Sequence, residues 1–338
     1  MQIRIVLTTF AEIFIDKYAM HNDQNILKTV EEGLSSFNYP EKVAALYEPI
    51  IYTLAPGGKR IRPLLCLRAC EACGDKYSTA LNQAMAIEMF HNFTLIHDDV
   101  MDNSDIRRGR PTVCAKWDDT QAILSGDALL TLATQMVVKN LTGEKAIRAL
   151  TLFNKTALEV YEGQQLDMDF EKRDDVTTDE YLEMIRLKTS VLLGCACAMG
   201  VLSSENGSED TFEKLYKYGE QLGIVFQLRD DWLDTFGDPE TFGKPIGGDI
   251  RNRKKTWLFI TALTERPHEM AEALSGEEDL LVDKVKAVYE TLNLSDRCDT
   301  LIRRYCDEAI RQIETSDIKD DSKEWFRELA LQLCSRTK

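Results

Sequence analysis

Little in this sequence interrupts a helix. Its 338 residues include only 18 glycines and 8 prolines. No stretch sustains the period-two alternation of a half-buried strand, and no repeat or low-complexity tract is present. These absences exclude a collagenous, solenoid or disordered chain; with 44% hydrophobic residues they predict an all-α protein whose long helices fill a large core. Positive charge is also scarce: Lys and Arg number 41 against 57 Asp and Glu, a net charge of −16. That balance excludes a general surface for nucleic acid or anionic membrane, so an anionic substrate must meet basic residues concentrated in one place. Long apolar runs are missing as well. Val191–Leu202 is 12 residues long, short of the ~20 that span a bilayer, and reads as a core helix without stable membrane insertion.

Residues 1–19 carry Glu12 and Asp16 and have neither a signal h-region nor a cleavage site, so they read as an N-terminal extension, with Met20 as an alternative start. The nine cysteines are scattered, mostly inside apolar runs. This pattern points to a reducing, cytoplasmic setting without a disulfide framework. Cys70 and Cys73 form a C-x-x-C with no second pair, which favours buried helix residues over metal or redox chemistry.

Apolar periodicity of 3.6 covers residues 25–54, broken at Asn38-Tyr39-Pro40, and leads into the loop Pro56-Gly57-Gly58-Lys59-Arg60-Ile61-Arg62-Pro63. Further helices are predicted over 63–73, 79–103, 117–139, 144–169, 178–203, 208–236, 254–266, 279–293 and 295–315, with a last one from 321. Thr177 and Glu180 have capping-box spacing, and Ser208 and Ser295 are the expected N-caps of the helices that follow them.

The chain is organised around two acidic clusters. Asp98, Asp99 and Asp102 stand at i, i+1 and i+4, so on a helix all three carboxylates project over about one turn of a single face. Asp230, Asp231 and Asp234 repeat that spacing, with Gln227 one turn earlier. Like charges so placed repel by roughly 0.2–0.5 kcal/mol per pair unless a cation is held. Both clusters lie among apolar neighbours, which argues against two merely solvated acidic faces. Oxygen-only ligands select a hard cation such as Mg²⁺, suited to bridging carboxylates to a substrate diphosphate and stabilising it as a leaving group. Basic candidates for that anion are Lys59 and Arg62 beside the Gly57-Gly58 loop, Arg107 and Arg108 after the first cluster, and Lys244 and Lys254 around the glycine-rich segment 242–249. Each taken alone is more readily a solvated side chain, and beside the two acidic clusters that balance reverses. The small residues of 191–200 leave space either for a long apolar ligand or for close helix packing. A lone histidine is more often structural than functional; that holds for His91, two turns before Asp98, and more strongly for His97.

Together these motifs resemble the trans-isoprenyl diphosphate synthases, the family of farnesyl and geranylgeranyl diphosphate synthases. The resemblance covers nearly the whole chain from about residue 25. It rests on G-G-K-R-x-R-P at 57–63, D-D-x-x-D at 98–102, R-R-G-x-P-T at 107–112, G-Q at 163–164, K-T at 188–189, F-Q-x-x-D-D-x-x-D at 226–234 and G-K-x-x-G-G-D at 243–249. It implies an all-α prenyl synthase domain over 20–338, a helical bundle around a deep apolar cavity, and a homodimer. By the same match Asp98, Asp102 and Asp230 would ligate three Mg²⁺, supported by Asp99, Asp231 and Asp234. Arg107, Lys188, Lys244 and Lys254 would contact an allylic diphosphate, and Lys59, Arg62, His91 and Arg108 would bind isopentenyl diphosphate. Thr189 and Gln227, with the Lys188 carbonyl, would stabilise an allylic cation. The C-terminal Ser335-Arg-Thr-Lys338 matches the family's basic tail poorly.

Phe93 stands five residues before Asp98, about 7.5 Å down a helix axis. In family members without an insertion in the first motif, a bulky residue there is the cavity floor, and Phe followed by a small residue, here Thr94, resembles the archaeal geranylgeranyl type. A product of C15 to C20 is therefore expected, with simple core packing of Phe93 as the competing reading. A class I terpene synthase shares the fold but usually carries a different second motif, and it has no use for Lys59 and Arg62. A non-catalytic partner subunit tends to lose aspartates, and this chain keeps all six.

Overall fold

The computed structural model describes residues 21–55, 58–238, 246–275 and 280–335. The predicted N-terminal extension, Gly57, Lys244 and the last three residues lie outside them. The fold is all-α. Its long helices are α1 (His21–Ser35), α2 (Ala44–Leu54), α3 (Ile61–Ala72), α4 (Leu81–Met101), α5 (Asp119–Val137), α6 (Gly143–Phe170), α7 (Thr178–Ile185), α8 (Val191–Ser203), α9 (Glu209–Phe236), α10 (Trp257–Glu265), α11 (Pro267–Leu274), α12 (Leu281–Thr291), α13 (Leu294–Glu314) and α14 (Asp320–Cys334). A two-residue hairpin, β1 (Ile106–Arg107) and β2 (Arg110–Pro111), pairs Arg107 with Arg110. Arg108 and Gly109 between them both have positive φ, the backbone of a tight primed turn matched to strand twist.

Capping agrees with the sequence in two places and departs from it in a third. Thr177 and Glu180 form the capping box of α7, and the Ser208 hydroxyl accepts the Thr211 N–H at 3.1 Å. Ser295 does not cap: α13 begins after Asn293, and Ser295 instead receives the indole N–H of Trp232 at 3.2 Å. The helix α11, which apolar spacing does not reveal, starts at Pro267, where proline at the first position removes an N–H that would be unpaired in any case.

The chain divides into two compact units, residues 1–154 with 196–212, and residues 155–195 with 213–338. In the first unit α4 packs along α5 and against α3. His97 fits against α5 because Gly126 lies there; a Cβ at Gly126 would stand 2.3 Å from His97 Nε2, which also meets the Ile123 carbonyl at 3.1 Å. Phe90, Phe93 and Phe153 join in edge and tilted ring contacts, burial worth roughly 1.5–3 kcal/mol per side chain.

In the second unit α13 packs on α14, and Tyr218 of α9 donates to the Phe326 carbonyl at 2.8 Å. The run Thr178–Ser203 is long and apolar enough by composition to cross a membrane, but 83% of its most apolar stretch is buried inside the protein, as a core helix requires. Its small residues serve close packing. A Cβ at Gly194 would lie 2.9 Å from the Tyr216 carbonyl oxygen and one at Gly200 2.0 Å from that of Cys66. Burial pushes the Cys70 thiol up to about 12 and the Cys73 thiol up to about 11, in keeping with their reading as inert helix residues.

Candidate active site

In the first unit, α4 carries the first acidic cluster at its C-terminal end. Asp99 is buried, Asp98 half-buried and Asp102, the C-cap, exposed. The three therefore differ in environment although they share a spacing. Arg107 reaches back from β1 and its Nε donates to Asp99 Oδ1 at 2.7 Å. Burial raises the Asp99 carboxyl, and Arg107 opposes that rise.

The basic residues of this unit converge. Arg62, in the first turn of α3, has its Nη1 3.2 Å from His91 Nε2. A guanidinium offers only donors, so Nε2 accepts and the imidazole proton sits on Nδ1. Burial, then the positive charges of Arg62, Arg108, Arg107 and Arg60, hold the His91 pKa well below its usual range. His91 is accordingly neutral at pH 7. Arg108 lies over Gly58: a Cβ there would stand 3.1 Å from its Nη1, so the glycine lets the hairpin close onto the Lys59–Arg62 loop. Lys59 is half-buried in that loop. Phe93 is buried, its ring 5.6 Å from that of Phe90 and 4.7 Å from that of His97, and the Thr94 hydroxyl donates to the His91 carbonyl at 2.8 Å.

In the second unit, α7 runs into a π turn, Arg186–Ser190, that carries Lys188 and Thr189. Such turns widen a helix locally and recur at functional sites. Gly163 of α6 makes room for it, since a Cβ at that position would be 2.2 Å from the Lys188 amide nitrogen. Lys188 Nζ donates to Asp167 Oδ2 at 2.6 Å. On α9, Asp231 is buried and receives the Tyr181 hydroxyl and, at 3.0 Å, the Gln227 amide. Burial raises the Asp231 carboxyl against the pull of Lys254, whose Nζ lies 4.0 Å away. Asp230 and Asp234 are half-buried, and Asp234 accepts the Asp249 backbone N–H at 2.9 Å. Burial pushes the Asp249 carboxyl up to about 7; burial alone would lower Lys254, but Asp231, Asp249 and Asp167 together hold it protonated. Lys244 lies outside the described residues.

Each motif thus commits its middle aspartate to the protein and leaves its outer carboxylates less buried. That division suits a hard divalent ion. Among the described residues no group of three or more His, Cys, Asp or Glu side chains could hold a metal by itself. An ion that takes one or two carboxylates and completes its shell with water and phosphate oxygens needs no such cage. Asp98 and Asp102 in the first unit, and Asp230 in the second, could each serve as such a Mg²⁺ ligand. Sequence spacing did not reveal Asp167, Tyr181 or Asp249 as part of these clusters. Asp167 carries a faint signal, one turn after Gly163, whereas Tyr181 meets Asp231 only through packing.

The chain matches the polyprenyl synthetase family model over residues 43–292. It is 36% identical over 312 residues to a short chain isoprenyl diphosphate synthase of Methanothermobacter thermautotrophicus, covering 90% of this chain and 93% of that one. It is 37% identical over 290 residues to a geranylgeranyl diphosphate synthase of Saccharolobus solfataricus, covering 82% and 86%. A solved geranylgeranyl pyrophosphate synthase superposes with a TM-score of 0.88 at 42% identity, covering 94% of this chain and all of the other. Residue pattern, helical fold and these likenesses agree, and the chain belongs to the polyprenyl synthetase family as a short-chain trans-prenyltransferase.

Proposed function

We propose that the protein condenses isopentenyl diphosphate head-to-tail with an allylic diphosphate (dimethylallyl, geranyl or farnesyl), giving an all-trans product of C15 to C20, with C20 preferred. The observation that carries this reading is the gathering of Arg62 against His91, with Arg108 over Gly58. Residues distant in sequence form a cationic group around the Lys59–Arg62 loop of the first unit, a group of use to an enzyme that binds a second diphosphate and of none to a terpene-cyclising lyase. Lys59, Arg62, His91 and Arg108 bind isopentenyl diphosphate, His91 as a neutral donor through Nδ1. Arg107, Lys188, Lys244 and Lys254 bind the allylic diphosphate. Asp98, Asp102 and Asp230 are the metal ligands, with Asp99, Asp231 and Asp234 supporting them. Mg²⁺, when bound, supplies positive charge that stabilises a departing diphosphate.

Gln227 donates its N–H to Asp231, which leaves its carbonyl dipole, with those of Thr189 and the Lys188 peptide, to face an allylic cation. The isopentenyl double bond attacks that cation, and the departing diphosphate takes the proton released afterwards. Phe93 is the floor that stops growth. Exposed Ile123 and Leu124 on α5, and Ile147 (69% exposed) and Leu158 (61%) on α6, support burial of those helix faces by a second copy in a cytoplasmic homodimer. The test is the purified protein with Mg²⁺, isopentenyl diphosphate and each allylic primer in turn. Products of C15 to C20 are expected; cyclised hydrocarbon, or no turnover without an added homologue, would refute the reading.

A further inference from the structure

Beneath the basic residues of the first unit lies a buried network to which the reaction assigns nothing. Arg60, the residue before α3, is 4% exposed and has a left-handed backbone, with φ of 45°. Its guanidinium donates to the Glu88 carboxylate, to the Leu54 carbonyl at 2.8 Å and to the Ala55 carbonyl at 3.4 Å. Glu88 is 3% exposed, and its Oε1 also receives the amide of the wholly buried Asn92 at 3.0 Å. Asn92 is fixed in turn by donating to the Glu88 carbonyl at 2.8 Å. One side chain thus ties the last turn of α2, the start of α3 and the middle of α4.

A non-glycine residue in the left-handed region persists only where its surroundings over-determine it. A buried guanidinium likewise requires a well-placed anion, because removing one partner of such a pair leaves an uncompensated buried charge. Glu88 meets both needs. Its charge also bears on Arg62 and, together with that of Asp99, on Arg108. Lys59 and Arg62 flank Arg60 in sequence, so the directions in which they leave the chain are set by the Arg60 backbone.

We propose that Glu88, acting through Arg60 and braced by Asn92, is the positioning residue of the isopentenyl diphosphate subsite, holding the turn that aims Lys59 and Arg62. The inference rests on the assignment of that subsite under Proposed function. The experiment measures both KM values and thermal melting for Glu88→Gln, Glu88→Asp and the paired Arg60→Met/Glu88→Met variant, with Arg62→Ala as control. Glu88→Gln is expected to raise KM for isopentenyl diphosphate about tenfold, with KM for the allylic substrate changed less than about twofold, and Glu88→Asp is expected to recover part of the loss. The paired variant exchanges a buried ion pair for apolar groups of similar length, a change folds tolerate, so it remains informative if Glu88→Gln does not fold; it too should lose isopentenyl diphosphate affinity selectively. A folded paired variant with wild-type KM values, or equal rises in both KM values, overturns the proposal. If Arg62→Ala itself fails to raise the isopentenyl KM selectively, the subsite assignment has failed instead.

Discussion

Replacing Gly163 by alanine places a methyl group against the backbone of the π turn that carries Lys188 and Thr189. The added carbon would lie 2.2 Å from the Lys188 amide nitrogen, 2.7 Å from its Cα and 2.8 Å from the Leu187 carbonyl carbon. Ordinary contact begins near 3.4 Å, so α6 and the turn must separate by more than about 1 Å. No flexible side chain is available to yield, because all three obstacles are main-chain atoms. Overpacking of this kind costs about 1–3 kcal/mol, and in a protein of this size each kcal/mol lowers Tm by roughly 2–4 °C. The functional effect should be larger. Misplacing a catalytic group by 1 Å can cost about 10²-fold, and the displaced turn carries Thr189, proposed above to stabilise the cation, and Lys188, which pairs with Asp167 of α6. Gly163→Ala should therefore lower kcat about a hundredfold while leaving KM for isopentenyl diphosphate nearly unchanged, since the subsite proposed for that substrate is on α3, α4 and the hairpin. Steady-state kinetics with both substrates and a thermal melt would check this. A variant with kcat within threefold of the parent would refute the claim that this contact positions Lys188 and Thr189.

If Asp230 holds Mg²⁺ as proposed, Asp230→Ala should lower kcat by orders of magnitude, and stability should be unchanged or raised because repulsion among carboxylates is relieved; chelation should abolish turnover and added Mg²⁺ restore it. Phe93→Ser should shift products to C25 or longer without slowing the first condensation, as read by chromatography of dephosphorylated products, and an unchanged distribution would remove Phe93 as the ruler. Its melt should fall as well, by an amount set by a lost buried ring, about 3–5 kcal/mol for truncation to alanine. A hydrogen bond from Cys306, aided by Arg229 and Arg303, brings the Cys334 thiol down to about 7, whereas burial pushes Cys195 and Cys298 up to about 12. Iodoacetamide should therefore modify Cys334 with a rate half-maximal near pH 7, followed by peptide mass spectrometry; a midpoint near the ordinary thiol value would contradict the Cys306–Cys334 contact.

Local spacing alone determined most of the helices, because a 3.6-residue apolar period and its caps are properties of neighbouring residues. The same holds for the two aspartate clusters, whose shared helix face follows from i, i+1 and i+4. What spacing left equivalent, packing distinguished. Asp99 and Asp231 differ from their neighbours only because Arg107, eight residues on, and Tyr181, fifty residues back, reach them through the fold. The helix predicted over 254–266 ends just before Pro267, and that proline opens α11, since proline is excluded from helix interiors and not from the first turn. Ser295 has the composition of an N-cap but lies inside α13 and serves Trp232. The small residues of 191–200 suit a ligand or a neighbouring helix equally in sequence; the close carbonyls of Tyr216 and Cys66 decide for the helix at Gly194 and Gly200. Arg60 is the extreme case. By sequence it is one of three basic residues in a loop, and only burial against Glu88, twenty-eight positions away, separates the residue that holds the turn from those it presents, because desolvation is a property of the folded chain.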